Sequence, residues 1–374
     1  MRDQTAHGGK RRTDGRHRVG PRRAGSSHVK WESKPRNGAS SRAAFAAVDL
    51  GTNNCRLLIA EPRDQSFRVI DAFSRIVRLG EGLGARGALS EAAMARTISG
   101  LLVCASKMRR RRVSRARCVA TDACRRAANC DEFIARVVRE TGIELEIISS
   151  REEAQLVLAG SQPLLDPDVP WALLFDIGGG STELVWMRLD VFPNEMVGWI
   201  SLPHGVVSLA ERHGGGEFSP GQYEALVQKI AGELGPFESA NDINRRIREG
   251  GVQMIGTSGT VTTLSGVHLG LEKYDRQRVD GLWLSFADAR AAAERLRAMK
   301  PEQRAAHPCI GQDRADLVVA GCAILEAIRR TWPTERLRVA DRGVREGLLL
   351  SLMSRDRPRP ATAAAGPGQN DPAP

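Results

Sequence analysis

The chain has 374 residues, 41% of them hydrophobic, and a formal net charge of +11, which predicts a globular protein of about two domains. No stretch approaches the roughly 20 apolar residues of a transmembrane helix, and the arginine-rich amino terminus lacks the apolar core of a secretory signal. Seven scattered cysteines without a C-x-x-C pair give no support to zinc or thioredoxin-type chemistry. We therefore expect a cytoplasmic protein with no membrane contact.

The positive charge is concentrated at the amino terminus. Residues 1–42 hold twelve Lys and Arg against three acidic residues, so they carry +9 and the remaining chain about +2. Because this segment has Gly, Ser and Pro throughout and no apolar periodicity, we expect a disordered basic tail. It is either a solvated extension without a partner or a weak contact for a polyanion. Residues 354–374, rich in Pro, Gly and Ala, are expected to be disordered as well.

Residues 43–160 alternate short apolar segments with helical patterns, which is typical of an α/β fold. The spacing of the apolar residues, together with the turn residues between them, predicts strands over 43–50, 55–60, 67–79, 115–121 and 143–149. The same features predict helices over 91–110, 123–142 and 151–160. We expect these elements to form the first of two domains.

Residues 161–353 open in the same way and form the second predicted domain. Strands are predicted over 171–177, 183–187 and 252–256, and helices over 261–271 and 315–332. The segment 338–353 reads as a strand, a glycine turn and a last helix. Whether that helix stays with the second domain or packs back on the first is left open.

An internal repeat carries the first functional signal. VDLGTNN at 48–54 and FDIGGGST at 175–182 each place Asp, an aliphatic residue and Gly between an apolar strand and a turn with hydroxyl or amide side chains. Asp49 and Asp176 lie 127 positions apart, about one domain. This duplication predicts two related domains that face each other across a cleft.

The residue types of the two turns suit a phosphate ligand. Glycine lets the backbone approach a ligand closely, and successive N–H groups in a tight turn form an anion site. An Asp at the end of each strand can meet a divalent cation bound to phosphate. A plain hairpin turn would also explain GTNN by itself. The G-x-G-x-x-G spacing of Gly82, Gly84 and Gly87 lacks the context of a dinucleotide site, so we treat it as accidental.

Nine motifs, in order over residues 43–352, resemble the exopolyphosphatase/guanosine pentaphosphatase (Ppx/GppA) phosphohydrolases. They are AAVDLGTNNCRLLIA, VRLGEGL, CVATDACRRAAN, ISSREEAQL, LLFDIGGGSTELVW, SLPHGVVSLAE, MIGTSGTVTTL, RADLVVAGCAIL and VADRGVREGLL. The resemblance implies an actin-like, duplicated two-domain fold with the active site in the central cleft. The chain would be a short form, without the C-terminal helical domain of longer members.

The resemblance also implies roles for individual residues. Glu153 matches the general base that activates water, and Asp176 and Glu183 match ligands of Mg²⁺ or Mn²⁺, with Asp49 at the base of the opposing turn. Implied phosphate-binding residues are Gly51, Thr52, Asn53, Arg56, Arg125, Gly178, Gly179, Gly180, Ser181, Thr182, Ser258, Gly259 and Thr260. His204 has no evident chemical task, so we expect a structural role.

The implied activity is metal-dependent hydrolysis of terminal phosphoanhydride bonds in polyphosphate or guanosine pentaphosphate. The same fold could instead serve an ATP-dependent kinase or a sensor that binds polyphosphate or guanosine pentaphosphate without turnover. The basic run at 107–117 is expected to be a solvated helix end, with binding of a long polyanion as the alternative. Family likeness further suggests a homodimer.

Overall fold

The computed structural model describes residues 43–64, 66–215 and 217–356. The predicted tail at 1–42 and residues 357–374 lie outside the described residues. The strands are β1 (Ala44–Leu50), β2 (Asn54–Arg63), β3 (Ser66–Ile76), β4 (Val113–Ala120), β5 (Glu146–Ile147), β6 (Trp171–Ile177), β7 (Thr182–Arg188), β8 (Glu195–Leu202), β9 (Val252–Thr257), β10 (Trp283–Ser285) and β11 (Arg336–Ala340).

Helices connect these strands and cover the sheets. They are α1 (Leu83–Arg86), α2 (Glu91–Arg110), α3 (Asp122–Arg126), α4 (Cys130–Thr141), α5 (Ser150–Ser161), α6 (Val206–Arg212), α7 (Pro220–Asn241), α8 (Ile243–Arg248), α9 (Ser258–His268), α10 (Arg276–Val279), α11 (Phe286–Ala298), α12 (Pro301–Ala306), α13 (Val318–Thr331) and α14 (Val344–Asp356). None of the helices in the described ranges is long and apolar enough to cross a membrane.

The strands form two sheets with the same plan. The first has the order β3-β2-β1-β4-β5 and the second β8-β7-β6-β9-β11, with β10 added at the far edge. In each sheet three antiparallel strands come first, and the leading strand then pairs in parallel with the strand that follows a helix. The duplication predicted from the two motifs is therefore present in the strand order and in the strand directions.

The leading hairpins form because their sequences alternate apolar runs with turn residues. Strands β1, β6 and β7 are buried along almost their whole length, since helices cover both faces of each sheet. The polar residues of these strands lie only near the strand ends, and Asp49 and Asp176 are among them. The fold thus brings the polar ends of two buried strands towards one cleft.

Helices α5 and α14 lie between the two sheets and share one apolar core with both. This core joins Phe45 and Leu58 of the first sheet to Leu174 of the second through Val157 and Leu348 of the helices. The helices approach so closely that a Cβ added at Gly347 would lie 2.1 Å from the Leu156 carbonyl oxygen. The last helix therefore contacts strands of the first sheet, and the domain limits 43–160 and 161–353 stay a prediction.

Two predicted elements were wrong in their extent. The helix expected over 123–142 is split into α3 and α4, because Asn129 leaves the helix to exchange two side-chain hydrogen bonds with the backbone of Leu89. The strand expected over 143–149 is reduced to β5, which pairs only with the last two residues of β4. Elements outside the predicted set include β8, α6, α7 and α11.

Candidate active site

The two hairpin turns meet across the cleft. Each is closed by a backbone hydrogen bond, from Gly51 N to Asn54 O at 2.9 Å and from Gly178 N to Ser181 O at 3.0 Å. A Cβ added at Gly179 would lie 3.1 Å from Cβ of Thr52, so the turns pack directly against each other. Glycine is required at this contact because a larger residue would push the turns apart.

Helix α6 holds the second turn by its carbonyl groups. The amide of Val206 donates to the carbonyl of Gly178 at 3.0 Å, and that of Val207 donates to the carbonyl of Gly179 at 2.8 Å. In a planar trans peptide the C=O and the N–H point in opposite directions. The N–H groups of Gly179 and Gly180 therefore point away from α6, and neither donates to another described residue. Two such free N–H groups in one turn form a site for an anion.

Glu153 reaches the same cleft from the first turn of α5. Ser149 caps this helix by accepting from the amide of Glu152 at 3.1 Å, which fixes where the helix begins. Glu153 then lines the cavity together with the two turns. Arg125 donates to its Oε2 at 2.8 Å and to the carbonyl of Ile148 at 3.0 Å. Arg125 thus orients the carboxylate and is absent from the residues that line the cavity.

Four carboxylates lie close enough to shift one another's titration. Burial raises the pKa of Glu153 well above its ordinary value, and the Glu183 charge raises it further against the opposing effect of Arg125. Burial also raises the pKa of Glu183 to about 7 and that of Asp176 to about 6. Burial raises the pKa of Asp49, while Arg56 and Arg345 oppose the shift. The cleft is therefore a place where negative charge is costly without a cation.

The structure separates the predicted site residues into two groups. Gly51, Thr52, Asn53, Arg56, Asp49, Asp176, Gly178, Gly179, Gly180, Ser181 and Ser258 line the cavity with Glu153, and Gly259 and Thr260 line an adjoining one. Thr182 is instead turned away, since its hydroxyl donates to the carbonyl of His204 at 2.6 Å. Glu183 is 2% exposed and accepts from the hydroxyls of Ser181 and Ser201.

Sequence reasoning missed Arg314 and Asp122, which line the cleft, and Arg345, which lies near Arg56 without lining either cavity. Arg314 lines the adjoining cavity beside Arg56. Burial lowers the pKa of Arg314 and of Arg345, and the Arg56 charge lowers both further, so the three guanidinium groups are near neighbours. None of them forms a hydrogen bond or ion pair within the described ranges. Asp122 also lines the cavity, and a Cβ at Gly180 would lie 1.9 Å from its Oδ2. Their positions in the motifs RADL, VREG and ATDA were the available signal.

Contacts on the far side of the turns hold the cleft closed. Arg78, in the connection after β3, forms a two-point ion pair with Asp316 at 2.9 Å for each contact. The amide of Gly82 donates to Glu211 at 2.7 Å. These bonds join the first half of the chain to the second beside the cleft.

The residues at the second turn suit a divalent cation bound together with a substrate. Asp176 has a buried Oδ1 without a hydrogen-bond partner, an atom that a metal ion would satisfy. No group of three or more His, Cys, Asp or Glu side chains forms a ready metal cluster within 43–64, 66–215 and 217–356. Mg²⁺ commonly takes only one or two protein carboxylates and completes its shell with phosphate oxygens and water. The donor set therefore fits a metal that arrives with a phosphate ligand.

Comparisons with known proteins agree with this architecture. A curated relative, exopolyphosphatase 2 of Mycobacterium tuberculosis, is 30% identical over 327 residues that cover 82% of this chain and 98% of the relative. A crystal structure of a Cytophaga hutchinsonii exopolyphosphatase superposes with a TM-score of 0.76 at 25% identity, covering 84% of this chain and 99% of that chain. The Ppx/GppA family member of Aquifex aeolicus gives a TM-score of 0.70 at 27% identity, with the same coverage.

The fold predicted from the motifs is confirmed: the two sheets form the actin-like, duplicated architecture of these structures. The model of the Ppx/GppA phosphatase family matches residues 58–356. That match covers β2 from residue 58 onwards, β7, Glu153, the second turn and the arginines at 314 and 345. The chain is therefore a member of the Ppx/GppA phosphatase family.

Proposed function

We propose that this protein hydrolyses the terminal phosphoanhydride bond of inorganic polyphosphate and releases orthophosphate. The observation that carries the proposal is the meeting of Glu153, held by Arg125, with a turn whose free N–H groups suit a phosphate. An acceptor of protons and a phosphate site then lie in one small cavity. The family membership and the names of the curated relatives support the same reaction class.

Glu153 would act as the general base. A base works best when its pKa lies near the operating pH, and burial moves the Glu153 carboxyl in that direction. Its carboxylate would take a proton from a water whose oxygen forms a bond to the terminal phosphorus. The bond from that phosphorus to the bridging oxygen breaks, and the shortened chain leaves with the oxygen. Arg125 would keep the carboxylate oriented towards the water.

The rest of the site would hold and neutralise the phosphates. Catalysis of phosphoryl transfer is mainly a matter of positioning and electrostatic stabilisation. The N–H groups of Gly179 and Gly180 would bind the terminal phosphoryl oxygens, and Arg56, Arg314 and Arg345 would bind those of the next units. Guanidinium groups suit this task because their planar fork matches phosphate oxygens.

A divalent cation, Mg²⁺ or Mn²⁺, would be held by Asp176, with Asp49 and Glu183 nearby. When bound it supplies Lewis-acid polarisation of a phosphoryl oxygen. Its charge would also offset the cost of burying these carboxylates, which raises the pKa of Asp176 and of Glu183, and the smaller repulsion between neighbouring carboxylates. Hard oxygen ligands of this kind favour Mg²⁺ or Mn²⁺ over softer metals.

The decisive experiment measures phosphate release from polyphosphate and from guanosine pentaphosphate side by side, with and without Mg²⁺. ATP consumption with and without an acceptor separates a kinase, and binding without release separates a sensor. We expect metal-dependent release from polyphosphate. Tight binding of polyphosphate without any release in either metal would rule the hydrolase out. The homodimer, the cytoplasmic location and a polyanion contact by residues 1–42 remain predictions.

A further inference from the structure

His204 forms a buried contact that the proposed chemistry does not use. Its side chain is 2% exposed, and its Nε2 lies 2.7 Å from Oε2 of Glu233 on α7. An ionised carboxylate can only accept hydrogen bonds, so Nε2 carries the proton and His204 donates. Its Nδ1 is also buried and has no partner among the described residues. A buried nitrogen without a hydrogen-bond partner destabilises the fold, and an aliphatic side chain at this position would not have that cost. We infer that the hydrogen bond to Glu233 offsets it.

The backbone around His204 is the support of the phosphate turn. The carbonyl of His204 accepts from the Thr182 hydroxyl at 2.6 Å. A Cβ added at the next residue, Gly205, would lie 2.3 Å from the carbonyl carbon of Gly179. The two residues after that donate the amides that fix the carbonyls of the turn. Any movement of this segment therefore moves the turn.

We propose that His204 is a positioning residue, through which Glu233 on α7 fixes the segment that orients the phosphate-binding N–H groups. The proposal rests on the proposed function for its kinetic consequence. The side chain does not touch the substrate and acts through the backbone of the second turn. An orientation error of the order of 1 Å at such a site can cost about 100-fold in rate, so even a partial loss of the anchor should be measurable.

The structure offers a matched control on the same helix. Glu238, one and a half turns along α7, accepts from the indole Nε1 of Trp332 at 2.7 Å, which equals the distance of the His204 contact. Glu233→Ala and Glu238→Ala therefore remove the same group from the same helix, and each leaves a ring N–H without its acceptor. Glu238→Ala also removes the acceptor of the Asn244 amide, at 3.0 Å, so it is the more disruptive change for packing. Only Glu233→Ala disconnects the phosphate turn.

We expect His204→Leu and Glu233→Ala to lower kcat on polyphosphate about tenfold, with KM changed less than about threefold because the arginines still bind the chain. Glu238→Ala should lower the melting temperature but keep kcat. His204→Gln, which restores an N–H donor, should recover most of kcat. The double variant His204→Leu/Glu233→Ala should be no slower than His204→Leu, because both changes break one contact.

A second measurement does not depend on turnover. Inorganic phosphate should raise the melting temperature of the parent and of Glu238→Ala, and should do so less for His204→Leu and Glu233→Ala. If the parent releases no phosphate from polyphosphate, the proposed function fails, yet this measurement still tests His204. The proposal is overturned if His204→Leu keeps the parental phosphate response, or if Glu238→Ala loses as much kcat as Glu233→Ala.

Discussion

The two leading hairpins share one backbone plan but carry opposite charges at one equivalent position. In β1–β2 the residue directly across from Asp49 is Arg56, whereas in β6–β7 the residue across from Asp176 is Glu183. Each pair has the same register relative to its turn. The duplication therefore supplied the geometry of the cleft twice, and later substitution could give each copy a different electrostatic task.

The surroundings of the two aspartates follow this difference. Burial raises the pKa of both; the Arg56 charge opposes the shift at both, and Arg345 opposes it at Asp49 as well. The pKa of Asp176 reaches about 6, and the pKa of the neighbouring Glu183 reaches about 7. The first hairpin thus carries a cationic residue, Arg56, directly across from its aspartate, whereas the second carries a further carboxylate in that place, and we expect only the second to need a cation from solution.

Removing the proposed general base should have the largest effect. Glu153→Gln keeps the size of the side chain but cannot accept the proton, so kcat should fall roughly 10²–10⁴-fold with little change in melting temperature. The control is Glu152→Gln on the same helix, whose carboxylate pairs with Arg117 outside the cleft. If Glu153→Gln keeps the parental kcat, Glu153 is not the general base.

Equal substitutions at the two aspartates should affect the metal requirement unequally. Asp176→Asn should raise the Mg²⁺ concentration needed for half-maximal activity by about 10–100-fold, the range typical of damaged metal sites. Asp49→Asn should raise it far less, because Arg56 and Arg345 lie beside that residue. Titration of activity with Mg²⁺ measures both. Equal shifts would show that the hairpins do not differ in this way.

Loss of the first hairpin's cation should weaken substrate binding. Arg56→Gln removes charge-assisted hydrogen bonds to phosphate, each worth about 1.5–3 kcal/mol, so KM for polyphosphate should rise at least about tenfold. The half-maximal Mg²⁺ concentration should stay near that of the parent. If Arg56→Gln instead raises the half-maximal Mg²⁺ concentration and leaves KM unchanged, Arg56 supports metal binding at the second hairpin and does not bind the substrate.

The raised pKa values also predict how stability depends on pH. A carboxyl whose pKa is higher in the folded state favours folding when it is protonated. Without metal, the melting temperature should therefore fall by a few degrees as the pH rises from 5 to 8, through the values of about 6 for Asp176 and 7 for Glu183. Saturating Mg²⁺ should reduce this fall. A metal effect that is the same at pH 5 and pH 8 contradicts the prediction.

The smallest effect is expected at the first part of the basic run, residues 107–112, which covers the last turn of α2 and the residues after it. It lies at the amino end of β4, whereas the cleft lies beyond the carboxyl end of that strand, at Thr121. Eight residues of strand separate the two ends by about 26 Å. Lys107 and Arg111 are moreover paired with Asp71. We therefore expect that the run does not extend the binding site along a substrate chain.

Long polyphosphate should consequently be cut distributively, with dissociation between successive cuts. A gel time course should give a ladder of intermediates, and Arg109→Gln/Arg110→Gln should give the same ladder as the parent. Long chains that coexist only with end products would mean processive cutting. A ladder that changes in the double variant would mean that the run touches the substrate.

The sequence by itself determined the parts that depend on neighbours in the chain. Apolar runs ending in Asp-x-Gly predicted both hairpins and their turns, because strand pattern and turn chemistry are local properties. The resemblance to the Ppx/GppA family added the actin-like fold, which is confirmed, and the general-base role of Glu153, which stays a prediction. Helices α7 and α11 were not recognised, although Ser219 and Ser285 cap their first turns by local hydrogen bonds; the sequence therefore held a signal for both that went unused.

Only the tertiary structure decided which groups meet. Arg125 was predicted to bind phosphate, yet it holds Glu153, 28 residues away, because α3 and α5 follow the same edge of the first sheet. Arg314 comes beside Arg56 only when the two sheets close on the cleft. Thr182 turns from the cavity because the segment at His204 offers it a carbonyl. Such contacts join residues far apart in the chain, so they follow from the packing of whole elements and no local pattern encodes them.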